Sequence, residues 1–319
     1  MCHLRHAALA LAAIGSSFVG SGCHRYSCPV MPAECFSAEP GDRAVVKFMT
    51  YNILKFENEE NWERRKANVI QTIVDAAPDV LAIQELTARQ GDDVREGLAG
   101  YCGISVANQD KDRQNLKNAI FVREDRFRFL DYGHFWFSAT PEWPSNQWHN
   151  AIPRVCLWSR IEDLRSGRSF YFYNVHLDHK NEKARIKSVF LLGDRLKKRT
   201  HSDPYVVAGD FNVNHDNIVI RCMHSEPEVD VSAPDCRQVR LADTFNAARF
   251  DQTPSTTFNK FPASLLLKRL DYIFVPSFVE LLDGEIIQHK ETSDHYPVTA
   301  TIRFPRGQIR RFNTSPAGR

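Results

Sequence analysis

AVVKFMTYN (44–52), WERRKANVIQTIVDAA (62–77) and VLAIQ (80–84) decide the architecture. The first and last are short apolar runs bounded by polar residues, the signature of strands. In the middle run Ile70, Ile73, Val74 and Ala77 fall at i, i+3, i+4 and i+7, which predicts a helix with one apolar face. Pro78 and Asp79 end it. Strand, helix and strand joined by so little chain form a crossover unit, which implies a parallel pair.

Outward from this unit, strands are predicted at 118–123, 127–137, 154–161 and 169–177 without long helices between them. A second helix over 182–199 presents Ile186, Val189, Gly193 and Leu196 on one face and leads into YVVAG (205–209), another buried strand. Further strands are predicted at 270–275 and 298–304. Hairpins mixed with crossovers read as α/β, and two packed sheets with helices outside satisfy the pattern best. One catalytic domain is expected over 43–304, followed by a basic, solvated tail at 305–319.

The first residues read as a signal peptide, 1–22: Arg5, a short apolar run at 7–14, then small residues. That run is too short to span a bilayer comfortably. Gly22-Cys23 is similar to a bacterial lipoprotein signal, so Cys23 is expected to be lipidated and 23–42, with Pro29, Pro32, Pro40 and Gly41, to form a tether. The expected location is the cell envelope, on the membrane through lipidated Cys23, or else periplasmic or secreted. In an exported chain Cys222 with Cys236, and Cys28 with Cys35, are candidate disulfides, while Cys156 reads as core. No cysteine spacing fits a structural zinc site.

The 319 residues carry 41 basic and 39 acidic side chains, a net charge of +2. That balance does not announce a nucleic-acid binder, nor does it exclude one. The informative feature is polar residues at strand ends: Asn52, Glu85, His176, Asp210, Asn212, Asp271, Asp294 and His295. Singly, such residues are more often caps, turns or satisfied core groups. Beside the strand ends of an α/β sheet they can converge on a ligand.

Taken together, YNIL (51–54), IQEL (83–86), NVHLD (174–178), GDFN (209–212), RLDYIFV (269–275) and SDHYPV (293–298) resemble the endonuclease/exonuclease/phosphatase superfamily. The resemblance implies a four-layer sandwich of two mixed β-sheets flanked by helices, and divalent-metal hydrolysis of phosphoesters. A hard cation neutralises a phosphoryl oxygen and stabilises the leaving oxygen. Magnesium, with manganese as the alternative, needs one or two carboxylates and keeps its waters. By resemblance Glu85 is the principal metal ligand, Asp294 helps directly or through water, and Asn52 lies beside them. Asp210 orients or deprotonates the attacking water. Asn212 and His176 contact the phosphoryl group, and His295, with Asp271 fixing its tautomer, is an acid/base or phosphate-contacting group. The division of labour between Asp210 and His295 stays open.

The region from Phe135 to Trp158, holding Trp136, Trp143, Trp148 and Trp158, resembles a bacterial subgroup of the same superfamily. Asn118 and Arg154 belong to that resemblance as substrate-binding candidates, Arg154 as a phosphate clamp. His149 and Trp148, in a polar loop, are further candidates, although most of these tryptophans are expected to pack. The expected partner is a phosphoester: a small molecule, a lipid head group or nucleic acid. A secreted or surface-anchored nuclease is the alternative. A phosphate-binding module without activity would be expected to lose Glu85, Asp210 or His295, and all three are present. No protein partner is implied.

Overall fold

The computed structural model describes residues 23–25, 45–109, 115–224, 240–247, 256–259, 269–289 and 291–305. The expected signal peptide, most of the tether, the tail beyond 305, Cys28, Cys35 and Cys236 lie outside the described residues.

Strand β2 (Val45–Asn52), helix α1 (Glu59–Ala76) and strand β3 (Val80–Leu86) form the anticipated crossover, with β2 and β3 parallel. Asn58 caps α1, its side chain accepting from the Asn61 N–H, and Glu59 and Glu60 complement the positive helix end. Ala77 stops the helix in a left-handed conformation. The buried stripe differs from the expected one: Trp62, Arg65, Val69, Ile73 and Ala76 face the sheet, while Val74 is exposed. The strongest anchor, Trp62, lies two turns upstream of the apolar quartet and sets the rotation of the helix.

Helix α2 (Ala88–Gly97) follows β3 and carries a capping box between Thr87 and Gln90. Then come strands β4 (Tyr101–Ala107), β5 (Lys117–Arg123), β6 (Phe127–Trp136), β7 (Val155–Asp163) and β8 (Arg168–His176). Helix α3 (Glu182–Lys197) leads to β9 (Tyr205–Asp210), then α4 (Ile218–His224), β10 (Leu241–Asp243) and α5 (Thr244–Ala247). Strands β11 (Asp271–Pro276), β12 (Glu280–Ile286) and β13 (Val298–Arg303) close the domain. Within the segment read as a tether, Cys23–Arg25 form β1, paired antiparallel to β4 at the sheet edge.

The strands make a seven-stranded sheet, β1-β4-β5-β3-β2-β13-β12, and a six-stranded sheet, β10-β11-β9-β8-β7-β6. Each has one parallel pair, β2/β3 and β8/β9, among antiparallel neighbours. Three apolar layers separate the four structural ones. Phe48, Val80, Ile120, Phe170, Phe172, Ala208 and Ile273 fill the space between the sheets. Met49, Tyr51, Leu81 and Ile83, at the alternate positions, pack under α1 and α2. Tyr171, Tyr173, Val207 and Phe274 pack under α3 and α4. This is the four-layer α/β sandwich that the resemblance implied.

The aromatic loop is mostly packing. Trp136 is buried between the sheets, Trp148 and Trp158 pack against the α3 side, and Trp143 is 70% exposed. Cys156 is a buried free thiol. Cys102 and Cys222 are disulfide-bonded. For Cys102 the sequence offered no partner.

Candidate active site

Along the inner face of each sheet the apolar alternation ends in polar residues. Phe48 and Thr50 lead to Asn52, Phe172 and Asn174 to His176, Ala208 to Asp210, and Val275 and Ile273 back to Asp271. Because strand side chains alternate with period two, these residues inherit the inward direction of the core. They collect at one end of the sandwich, where Asp271 pairs with Asp210 and His176 with Asp210 across the strands.

Glu85 does not share that parity, since Gln84 takes the inward position and donates to Thr50 and Asn174. It reaches the cluster because its backbone is left-handed (φ 63°), at a register irregularity between Ile83 and Leu86. A glutamate in this conformation is strained, and such strain persists where surrounding contacts fix it. The Lys55 N–H donates to Glu85 Oε2 at 3.1 Å.

Asp210 is the hub, and it is buried. Its Oδ2 accepts from Asn52 Nδ2 at 3.1 Å and its Oδ1 from the Asn212 N–H at 2.8 Å. His176 Nε2 lies 3.5 Å from Oδ2, and His295 Nε2 lies 3.9 Å from it. Burial pushes the Asp210 carboxyl up to about 7 and Asp271 adds to the rise, against His295 and the two hydrogen bonds. His295 Nδ1 donates to Asp271 Oδ2 at 2.8 Å, which puts the Nδ1 proton on the shared axis. Burial opposes a charged ring, but Asp271 and Asp210 outweigh it and raise His295 to about 10. His176 goes the other way: burial, then Arg154, His295 and His179, hold it well below its ordinary value. Two histidines in one site are thus pushed in opposite directions. The contacts of His176 with Asp210, and with Glu85 at 4.0 Å, are those of a neutral ring.

The other candidates divide. Asn212, itself left-handed (φ 54°), donates to the Leu177 carbonyl. Arg154 is buried and bonds His179 Nδ1 at 3.0 Å, leaving its Nε without a partner. The charges of Glu85, Asp178 and Asp210 act on it. Asn118 is not free to meet a substrate with its amide nitrogen, which donates to the Val155 carbonyl at 2.9 Å and braces one sheet against the other. His149 stays on the exposed rim, where Asn181 holds its carbonyl. Asp294 is half-buried, precedes β13, and its charge acts on Tyr51, Arg65 and His295. His295 forms an isolated bridge to Phe258 ahead of β13.

Several supporting residues were missed. Asn174 donates to the carbonyls of Ile83 and Ala119, and Ser293 Oγ to the Asn52 carbonyl at 2.6 Å. Both sit inside the quoted motifs. Arg65 and His179 carried no sequence signal.

For a divalent cation, two donor sets are in view. Asp210, Asp271 and His295 offer ligand atoms within 4.8 Å of one another. That set is already paired internally, His295 with Asp271 and Asp210 with Asn52, so it has fewer lone pairs to offer. Glu85, with the Asn52 Oδ1 and Asp294, offers hard oxygen donors, and the Glu85 side chain remains 22% exposed, with room for the waters magnesium keeps. By donor chemistry the second set fits.

Comparison with known proteins agrees with the fold. A family model described as Endonuclease/Exonuclease/phosphatase family matches residues 49–295. The mannosyl-6-phosphatase Bt3783 of Bacteroides thetaiotaomicron VPI-5482 is a structural relative at 28% identity and TM-score 0.70, over 81% of this chain and 100% of that one. An endonuclease/exonuclease/phosphatase from Bacteroides vulgatus is similar at 27% identity and TM-score 0.70, over 82% and 99%. A protein of Acanthamoeba polyphaga mimivirus is 27% identical over 187 residues, 53% of this chain and 68% of that one.

Proposed function

This chain belongs to the Endonuclease/Exonuclease/phosphatase family, and on that premise we propose that it is a divalent-cation-dependent phosphoesterase acting outside the cytoplasm. The observation that carries the reading is the convergence of Asn52, Glu85, His176, Asp210, Asp271 and His295 at one end of the sandwich. Glu85, Asn52 and Asp294 would hold the cation, which would supply charge neutralisation at the phosphoryl and leaving oxygens.

The protein's own groups do the rest. Asp210, with both oxygens fixed by Asn52 and Asn212, orients a water and takes its proton as the water oxygen bonds to phosphorus. The charged His295, held by Asp271, and the neutral His176 donate to phosphoryl oxygens as charge develops. The bond from phosphorus to the leaving oxygen breaks, and the released oxygen takes a proton from bulk water, leaving phosphate and an alcohol. Arg154, held by His179 and with its charge felt at His176, adds positive charge beside the phosphate. The relative named as a mannosyl-6-phosphatase favours a phosphomonoester on a small polyol or sugar. The disulfides at Cys102 and Cys222 support an oxidising compartment.

The test is release of nitrophenol from mono- and bis-nitrophenyl phosphate by purified protein with magnesium, manganese or chelator. Cation-dependent turnover that Asp210→Asn abolishes is expected. Turnover indifferent to chelator, or untouched in Asp210→Asn, overturns the reading. A marked preference for the diester, with cleavage of DNA or RNA, would move the substrate to nucleic acid.

A further inference from the structure

Arg65 lies on α1, is 3% exposed, and belongs to none of the chemistry above. A guanidinium has five N–H donors in a fixed fork. Here all five positions meet an acceptor. Nε donates to Asn61 Oδ1 at 2.8 Å on the same helix, which aims the fork. Nη1 donates to the carbonyls of Ile53 and Thr292, and Nη2 to those of Leu54 and Lys55. The Trp62 ring covers the guanidinium at 4.9 Å.

Those four carbonyls belong to the two loops that carry or orient the cation donors. One loop leaves β2: Asn52 Oδ1 accepts from the Leu54 N–H, and the Lys55 N–H orients Glu85. Leu54 is left-handed (φ 57°), a conformation a branched side chain does not hold unaided. The other loop runs from Thr292 through Ser293, which bonds the Asn52 carbonyl, to Asp294 and His295. The contact with Thr292 spans 227 positions of sequence.

Resting on the reading of Glu85, Asn52 and Asp294 as cation holders, we infer that Arg65 is the positioning residue that preorganises the cation site by pinning both loops with one fork. The idea makes a prediction opposite in sign to simple electrostatics. The charges of Glu85 and Asp294 act on Arg65. If charge alone mattered, removing a neighbouring cation would tighten magnesium. If positioning matters, removing the fork frees the donors and weakens it. Supporting contacts behind metal ligands typically govern about 10- to 100-fold in affinity.

The experiment is calorimetric and paramagnetic titration of manganese into folded apo protein, wild type and Arg65→Met, followed by the magnesium dependence of turnover. Arg65→Met should raise the manganese dissociation constant about tenfold or more. Turnover at saturating magnesium should return to within a few-fold of wild type. Arg65→Lys keeps the charge but has three donors and no fork, so it should remain weakened. It also carries the test if Arg65→Met does not fold. Unchanged or tighter manganese binding in the folded variants, or full recovery by lysine, overturns the inference. Glu85→Gln separates the two readings: if it too leaves manganese affinity unchanged, the assignment of the cation site has failed, not the role of Arg65 alone.

Discussion

Asp210→Asn should abolish turnover and, at alkaline pH, make the metal-free protein more stable. Asp210 is an acid whose folded pKa, about 7, lies above its ordinary 3.8. The sign follows: its contribution to stability is fully present below pH 3.8 and is lost as pH rises through 7. Roughly three pKa units at about 1.4 kcal/mol each bound the cost of ionising it at about 4 kcal/mol. Asparagine keeps the shape and cannot ionise. Part of the gain is returned, because the ionised carboxylate also supports the charge on His295 and accepts from Asn52 and the Asn212 N–H. A net advantage of about 1–3 kcal/mol above pH 7 remains, or roughly 3–10 °C in melting temperature for a domain of this size. The assay is calorimetric melting of both proteins in chelator at several pH values from 4 to 9. The gap should open between pH 4 and 7 and stay level above. A gap independent of pH, or a variant less stable at pH 8.5 than wild type, would refute the argument that burial of this carboxylate is a cost accepted for catalysis.

His295→Ala should lower the catalytic rate about a hundredfold or more, as for a preorganised donor to charge that develops in the transition state. Asp271→Asn should cost less alone and add almost nothing to His295→Ala, a double-mutant cycle in which additive losses would separate the pair. His295 is raised to about 10, so its pairing stabilises the fold below its ordinary 6.5 and is lost as pH climbs through 10; Asp271→Asn should pull that alkaline limb downward in pH melts. Reduction of the disulfides at Cys102 and Cys222 should lower the melting temperature, each bridge contributing about 2–4 kcal/mol, and a reductant-insensitive melt would show that neither bridge matters. The sequence reading at Gly22-Cys23 predicts a mature protein beginning at a lipidated Cys23; intact-mass measurement of membrane-fraction protein that finds an unprocessed Met1 would defeat it.

What the sequence disclosed follows from where polar residues interrupt an apolar alternation. Asn52, His176, Asp210 and Asp271 occupy inward positions of strands whose other inward residues are core, so each stands out as a polar side chain that the sheet itself will bury. The crossover was legible for the same reason, since Phe48 and Met49 divide cleanly between two apolar layers. Helix α2 was missed although Thr87 and Gln90 spell its capping box, because ARQGDDVREG offers only Val94 as a large apolar anchor. Arg65 reads as one charge among WERRK, and only the tertiary positions of four distant carbonyls make it a fork with full occupancy.

Glu85 marks the limit of pattern reading. By period two it should face α1 and α2 with Ile83, as the outward neighbour of Gln84. Its arrival in the site depends on a left-handed backbone and a slipped register, which neither propensity nor alternation encodes. The cost of that conformation, about 1–3 kcal/mol, is borne by the pairing of β3 on both sides and by the Lys55 N–H that holds the carboxylate. A carboxylate delivered in this way gains two things a parity-respecting residue lacks. It stands on the exposed lip of the site, where a hydrated cation can reach it, and it leaves the inward position to Gln84, which ties the two sheets together directly beneath.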